Sequence, residues 1–288
     1  MRLSKVYSAQ VSLLSAHIVS VEADIARGLY QFSVVGLPDK AVEESRDRVG
    51  AAVKNSGFSA PKQKNQKITI SLAPAELKKE GPAFDLPIAL SYLLATKEIS
   101  FDSEKKLFIG ELSLSGDVRG VRGVLSIAKE ARMKGFKELY VPEENAEEAA
   151  LVEGINVFGV TTLKSLTEHF KNDSQSKKIG KKPTTKIIYA KPETHLDFQD
   201  IKGQTFAKQG LLIAAAGGHN VGMYGPPGTG KTMLARAFSG ILPQLSEEVV
   251  FEVSSIYSVA GLLEKGLVTL PPFRAPPHTS SYVSLVGG

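Results

Sequence analysis

Gly225-Pro226-Pro227-Gly228-Thr229-Gly230-Lys231-Thr232 fits the pattern GxxxxGK[ST] at every position, and it decides the class of the fold. The glycines let the backbone turn and bring N–H groups toward phosphate oxygens with no Cβ in the way. A helix opening at the end of the loop points its positive pole at the same oxygens. Lys231 is placed to reach the β- and γ-phosphates as a point charge, and the Thr232 hydroxyl to ligate Mg²⁺. Met233 follows in the first helical turn and is counted with the loop. ATP and Mg²⁺ are therefore the expected ligands. The flanks agree: 206–216 reads as a helix, 220–224 as a short strand entering the loop, and 232–238 as a helix leaving it.

A loop of this kind binds phosphate but does not hydrolyse by itself. Hydrolysis also needs an acid at the end of a later apolar strand, to hold Mg²⁺ and orient water. From Ile201 onward the chain has no aspartate, and its glutamates are Glu247, Glu248, Glu252 and Glu264. Glu252 follows Val249-Val250-Phe251, but Ser246-Glu247-Glu248 reads as a helix N-cap with acids in the first turn, which makes Glu252 a helix residue. The chain ends 56 residues after Thr232. It is expected to be the front part of a P-loop module, with no catalytic residue assigned and no hydrolysis of its own.

Upstream, composition divides the chain. Residues 171–191 hold seven lysines and one aspartate, net +6, which leaves the remainder of a +5 chain at −1. Such a Lys/Ser/Thr stretch reads as a solvated linker, or else as an arm contacting nucleic-acid phosphates. The expected organisation is an α/β domain at 1–170, a basic linker at 171–196 and the P-loop module at 197–288. Within the first domain, strands are predicted at 19–25, 31–35, 67–73, 107–114, 138–141 and 155–160. Helices are predicted from Pro38 to a stop at Gly57, over 84–95, over 124–134 ending at Gly135, after Pro142, and over 163–170.

Hydrophobic residues make up 42% and charged residues 23%, enough apolar material for a core without staples. The absence of cysteine excludes disulfides and thiolate metal sites. No run of 18 apolar residues and no leader-like start occur, so no membrane span is predicted and a cytoplasmic location is expected. His17, His169, His195, His219 and His278 share no ligand spacing, which argues against zinc; His219 reads as a turn residue. Arg46 and Arg48 with Glu43 and Glu44 read as a charged helix face, or else as a subunit or DNA contact.

Several further stretches resemble the YifB/ComM group of Mg-chelatase-like AAA+ ATPases. They are Val35-Gly36-Leu37-Pro38-Asp39, Glu44-Ser45-Arg46-Asp47-Arg48-Val49, Leu72-Ala73-Pro74-Ala75-Glu76-Leu77 with Lys79-Glu80-Gly81, and Phe84-Asp85-Leu86-Pro87-Ile88-Ala89. Gly110-Glu111-Leu112, Ile256-Tyr257-Ser258-Val259-Ala260-Gly261 and Phe273-Arg274-Ala275-Pro276 continue the series. The resemblance implies a Lon-protease/ribosomal-protein-S5-like α/β domain followed by an AAA+ module, here truncated. It implies that Ile201, Gly203 and Gln204 lie near the adenine. It implies a homo-hexameric motor acting on branched or single-stranded DNA; the alternatives are a chelatase-like motor subunit or a non-enzymatic nucleotide-binding fragment. Where the family has two histidines after its Phe-Arg-x-Pro stretch, Pro277-His278 stands here. Lon-type proteases use a Ser–Lys dyad in a Gly-Pro-Ser context. Here the matching stretch is Gly81-Pro82-Ala83, and the lysine position falls near Leu125, with Lys129 close by. A methyl group cannot attack a carbonyl, so proteolysis is not expected.

Overall fold

The computed structural model describes residues 2–171, 177–190, 196–263, 266–277 and 279–283. Lys191, His195, Glu264 and His278, singled out above, lie outside the described residues. The chain divides into two compact units, one of Met1–Lys186 with Ser254–Gly266, the other of Ile187–Val253 with Leu267–Gly288.

The first unit is a mixed α/β layer. Its strands are β1 (Arg2–Ser12), β2 (Ser15–Arg27), β3 (Gln31–Val35), β4 (Gln66–Ala73), β5 (Lys106–Phe108), β6 (Glu111–Leu112), β7 (Val118–Arg119), β8 (Glu138–Pro142) and β9 (Asn156–Val160). Its helices are α1 (Lys40–Asn55), α2 (Asp85–Ala95), α3 (Val124–Met133), α4 (Ala146–Ala149) and α5 (Leu163–Phe170). Seven strands form one sheet in the order β3-β4-β2-β1-β5-β8-β9, and β6 pairs with β7 apart from it. β1 and β2 run antiparallel from Arg2↔Ile25 to Ser12↔Ser15, and β4 continues antiparallel to β2. The remaining neighbours in the sheet are parallel.

Period-2 burial explains β2: Val19, Val21, Ala23 and Ile25 are buried while the alternate residues are half-exposed, the pattern of a strand with one face on the core. Those residues, with Ile68, Ile70 and Leu72 of β4, pack in one cluster with Val42, Val49, Ala52 and Val53 of α1 and most of α2. α1 starts where Asp39 caps it, its carboxylate accepting from Val42 N at 2.8 Å. It stops at Gly57, whose φ of +90° suits glycine; Gly57 N then donates to Lys54 O, and Phe58 N reaches Val53 O, the closing bonds of a Schellman-type end. The predicted strand at 107–114 is corrected. It breaks after β5, where Ile109 N donates to Tyr140 O and Gly110 N to Ala83 O, before the chain resumes as β6.

β1 is absent from the sequence-based prediction. Ser254–Gly266 counts with the first unit through bonds such as Ser258 Oγ to Glu148 Oε1, 2.5 Å, and Gly123 N to Ser258 O, 3.3 Å.

The second unit carries α6 (Thr205–Gly217), α7 (Lys231–Ser239) and the first half of α8 (Glu247–Ala260). Ile201, Leu211, Leu234 and Ala237 form its small buried cluster, with Phe198 and Phe238 packed against it. The strand predicted at 220–224 is not formed among the described residues, which run there without ladder partners. Extended backbone becomes a strand only when a neighbour supplies the ladder bonds, and Tyr224 is fully exposed instead. Among the described residues, no helix is long and apolar enough to cross a membrane, and no cluster of three or more His, Asp or Glu is arranged to hold a metal.

Candidate nucleotide site

The loop at 225–232 wraps toward the start of α7, whose N-cap is Gly230. Gly228 and Gly230 have φ of +81° and +83°, conformations that side chains with a Cβ rarely adopt. This is the local reason glycine stands at both positions. The Lys231 ammonium donates to the carbonyls of Gly225 and Pro226, each at 2.7 Å, and lies 3.4 Å from Thr229 Oγ1. Thr229 Oγ1 in turn donates to Pro226 O at 2.9 Å. The cation is thus folded back over its own loop, held by weak neutral acceptors that an anion can outcompete. Leu234 and Ala237 anchor the other face of α7 in the buried cluster, while Thr232 and Met233 stay exposed.

Beside the loop lies a cavity of about 710 Å³, within the range of small-molecule sites. Gln204, Ala207, Leu211 and Ala214 line one wall, His219 and Tyr224 another, and Gly225, Pro226, Thr229 and Lys231 form the polar end. The structure therefore brings Gln204 together with the loop. Ile201 belongs to the buried cluster and is not on the cavity wall; Gly203 leads into Gln204 with φ of +65° and is also off the wall. Pro227, Gly228, Gly230, Thr232 and Met233 contribute backbone and side chains at the loop's outer side and not to the cavity lining.

The α6 residues on the wall were legible in principle. Positions 204, 207, 211 and 214 recur at helical spacing and mark one face. His219 occupies the turn after α6, as expected, with its amide donating to Ala214 O at 2.9 Å; its place on the wall was not expected. Glu252 lies within α8, as its N-cap signal implied. Among the described residues from Ile201 onward, no acid stands at the end of a strand.

These observations fit a nucleoside triphosphate. Left-handed glycines shape the loop, a helix N-terminus follows, and one lysine is positioned at the polar end of a cavity whose other walls are largely apolar. The arrangement can orient a polyphosphate and neutralise part of its charge.

A second cavity, about 440 Å³, lies in the first unit around Gly81, Pro82 and Ala83, with Gln10, Glu111 and Arg122 on its walls. Its lining residues include no serine, threonine or lysine. Leu125 is buried in α3, with its amide donating to Glu148 Oε1 at 3.0 Å. Of the linker lysines, Lys178 Nζ donates to the carbonyls of His169 and Lys171, both at 2.7 Å, and Lys182 pairs with Glu143 at 2.7 Å. Lys177 and Lys181 are exposed.

Comparison with known protein families matches residues 21–145 to the model described as subunit ChlI of Mg-chelatase, and residues 197–288 to that described as magnesium chelatase, subunit ChlI. The competence protein ComM of Haemophilus influenzae is 39% identical over 290 residues, covering 100% of this chain and 56% of that protein. The uncharacterized protein YifB of Escherichia coli is 39% identical over 291 residues with the same shares. The DNA repair protein RadA of Streptococcus pneumoniae is 32% identical over 90 residues, 31% of this chain and 21% of that protein. The chain thus spans little more than half the length of the relatives it matches from end to end.

Proposed function

The chain belongs to the Mg-chelatase-like ComM/YifB family, and on that premise we propose that it binds ATP with Mg²⁺ as part of a DNA-acting motor. The observation that carries this is the loop itself: left-handed Gly228 and Gly230 before α7, with Lys231 at the polar end of the cavity. The loop amides and Lys231 would hold the β- and γ-phosphates, and Thr232 the Mg²⁺. Bound Mg²⁺ would supply charge neutralisation between the phosphates. Gln204, with the α6 wall, would face the base; Ile201 would support that wall from beneath.

We place the first unit in the Lon-protease/ribosomal-protein-S5-like class and the second as the front of an AAA+ module, acting as a homo-hexamer in the cytoplasm. Support for DNA comes from ComM, named for competence, and RadA, named for DNA repair. The descriptions of both matched family models favour a second reading, a chelatase-type motor acting on a protein partner. Affinity for branched or single-stranded DNA separates the two.

The test is calorimetric titration of the 288-residue chain with ATP and Mg²⁺, alongside Lys231→Ala. Heat of binding is expected in the wild type and its loss in the variant, because the β/γ-phosphate charge loses its main partner. Phosphate release is expected to stay at background, since no acid stands in the Walker B position among the described residues. Equal binding by both proteins would overturn the assignment of the site. Release lost in Lys231→Ala would overturn the reading of Glu252.

A further inference from the structure

Lys177-Lys178-Ile179-Gly180-Lys181-Lys182-Pro183-Thr184-Thr185-Lys186 has the composition of a solvated tether, yet this strap lies along the edge of the sheet. Ile179 packs against the main core cluster. Lys181 bridges to Phe158, and Lys182 N donates to Val157 O at 2.8 Å, so the strap covers the outer edge of β9. Thr185 donates through its amide to Ala150 O at 3.0 Å and through its hydroxyl to Glu147 O at 2.9 Å. The strap's head is held differently. There Ile179 N donates to His169 Nδ1 at 2.9 Å.

A backbone amide can only donate, so Nδ1 must present its lone pair. The neutral ring then carries its proton on Nε2, which lies 3.3 Å from the Tyr140 hydroxyl; that hydroxyl donates onward to Glu138 at 2.7 Å. Phe158 and Phe170 flank the ring. The charged groups facing it are Glu138 of β8, Lys106 of β5 paired with Glu138 at 3.6 Å, and Lys178 of the strap. Burial lowers the imidazole pKa below its ordinary value, Lys178 and Lys106 push the same way, and Glu138 opposes them.

The geometry points to His169 as a proton-operated latch for the basic strap at 177–186. Protonation puts an N–H on Nδ1, and two donors then face each other across the contact that holds Ile179. The docked strap therefore binds fewer protons than the released one. Docking is fully present above the ordinary imidazole pKa of about 6.5 and weakens as pH falls through that value toward the lower docked one. Release also frees Lys178 and Lys182 from their carbonyl and carboxylate partners, adding two cations to a segment whose Lys177, Lys181 and Lys186 are already exposed.

The experiment is hydrogen exchange on the full 288-residue chain at pH 7.5 and 5.5, with rates corrected for intrinsic exchange. Protection of the strap, relative to β2, is expected to fall by up to about tenfold, because pH 5.5 lies about one unit below the ordinary imidazole pKa. His169→Gln offers an acceptor that gains no proton, so its strap is expected to stay protected at both pH values. His169→Phe keeps ring packing without an acceptor, and its strap is expected to exchange fast at both while β2 stays protected. Wild-type protection that is the same at the two pH values overturns the latch. So does an equal loss in His169→Gln, or a strap fully protected in His169→Phe at pH 7.5.

Discussion

Asp85 lies wholly out of water at the start of α2, and donors from α1 and β6 converge on its carboxylate. Arg48 reaches it twice, through Nε at 2.6 Å and Nη2 at 3.0 Å, Leu112 N donates at 3.2 Å, and the Ser45 hydroxyl completes the set. Burial pushes the carboxyl pKa up, and Arg48 and Ser45 oppose the shift. The expectation of a charged helix face at Arg46 and Arg48 is thus half corrected. Arg46 does stay on the surface beside Asp47, but Arg48 turns inward, because α1 carries it on the same face as buried Ser45 and Val49. Removing one partner of a buried ion pair strands the other without compensation, at a cost of roughly 3–5 kcal/mol. Arg48→Met is expected to lower stability by about that amount in urea denaturation followed by circular dichroism. The double change Arg48→Met with Asp85→Leu should recover most of the loss. A single-variant cost below about 1 kcal/mol would show that the pair contributes little.

Among the elements, α1 depends on one residue at its start. Asp39 accepts from Val42 N with one oxygen and from Gly81 N, at 3.1 Å, with the other. It ties the helix to the loop that leads into α2, besides satisfying an orphan amide. Asp39→Ala is expected to cost about 1–2 kcal/mol, the upper part of the range for a lost cap, because two amides lose their acceptor. Asp39→Asn keeps one acceptor oxygen and should fall between wild type and Ala in melting temperature. Melting of Asp39→Ala at the wild-type temperature would contradict this. Pro38 announced the helix, and the helix begins two residues later because the cap at Asp39, not the proline, sets the first turn. α3 is capped from a distance. Gly123 has no side chain to offer, and Glu148 supplies the acceptor for Leu125 N. No local spacing could have revealed that.

At the scale of the whole molecule, the basic strap sets what the proposed DNA contact could use. Lys178 and Lys182 engage their ammonium groups with internal partners in the docked strap, whereas Lys177, Lys181 and Lys186 are exposed. Each phosphate deprived of its lysine should flatten the slope of log affinity against log salt by about 0.7 for single-stranded DNA, since fewer counterions are released. The triple change Lys177→Gln, Lys181→Gln and Lys186→Gln is expected to reduce the slope of the full chain at pH 8. Changing Lys178 and Lys182 to Gln instead should act mainly through strap docking. Fluorescence anisotropy with a labelled single strand across a salt series reads both. A slope unchanged by the triple substitution would take the proposed DNA contact off the strap.

What the amino-acid order determined by itself was whatever depends on near neighbours. Gly228, Gly230 and Lys231 announced a phosphate loop because left-handed turns and a following helix start are local demands. The buried alternation of β2 and the stop at Gly57 were legible for the same reason. Tertiary structure decided the rest. β1 is a strand only because β2 pairs with it along its whole length; its Ser4, Lys5, Ser8 and Gln10 break the apolar alternation that marks a strand. Segment 220–224 has the composition of a strand and no ladder partner among the described residues, so composition alone could not make it one. The lysines of 177–186 promised a solvated tether, yet backbone bonds to Val157 and Ala150 and the ring of His169 seat the strap on β9. Pairing partners far away in sequence satisfy backbone groups that composition would leave to water, and only the folded chain brings those partners within reach.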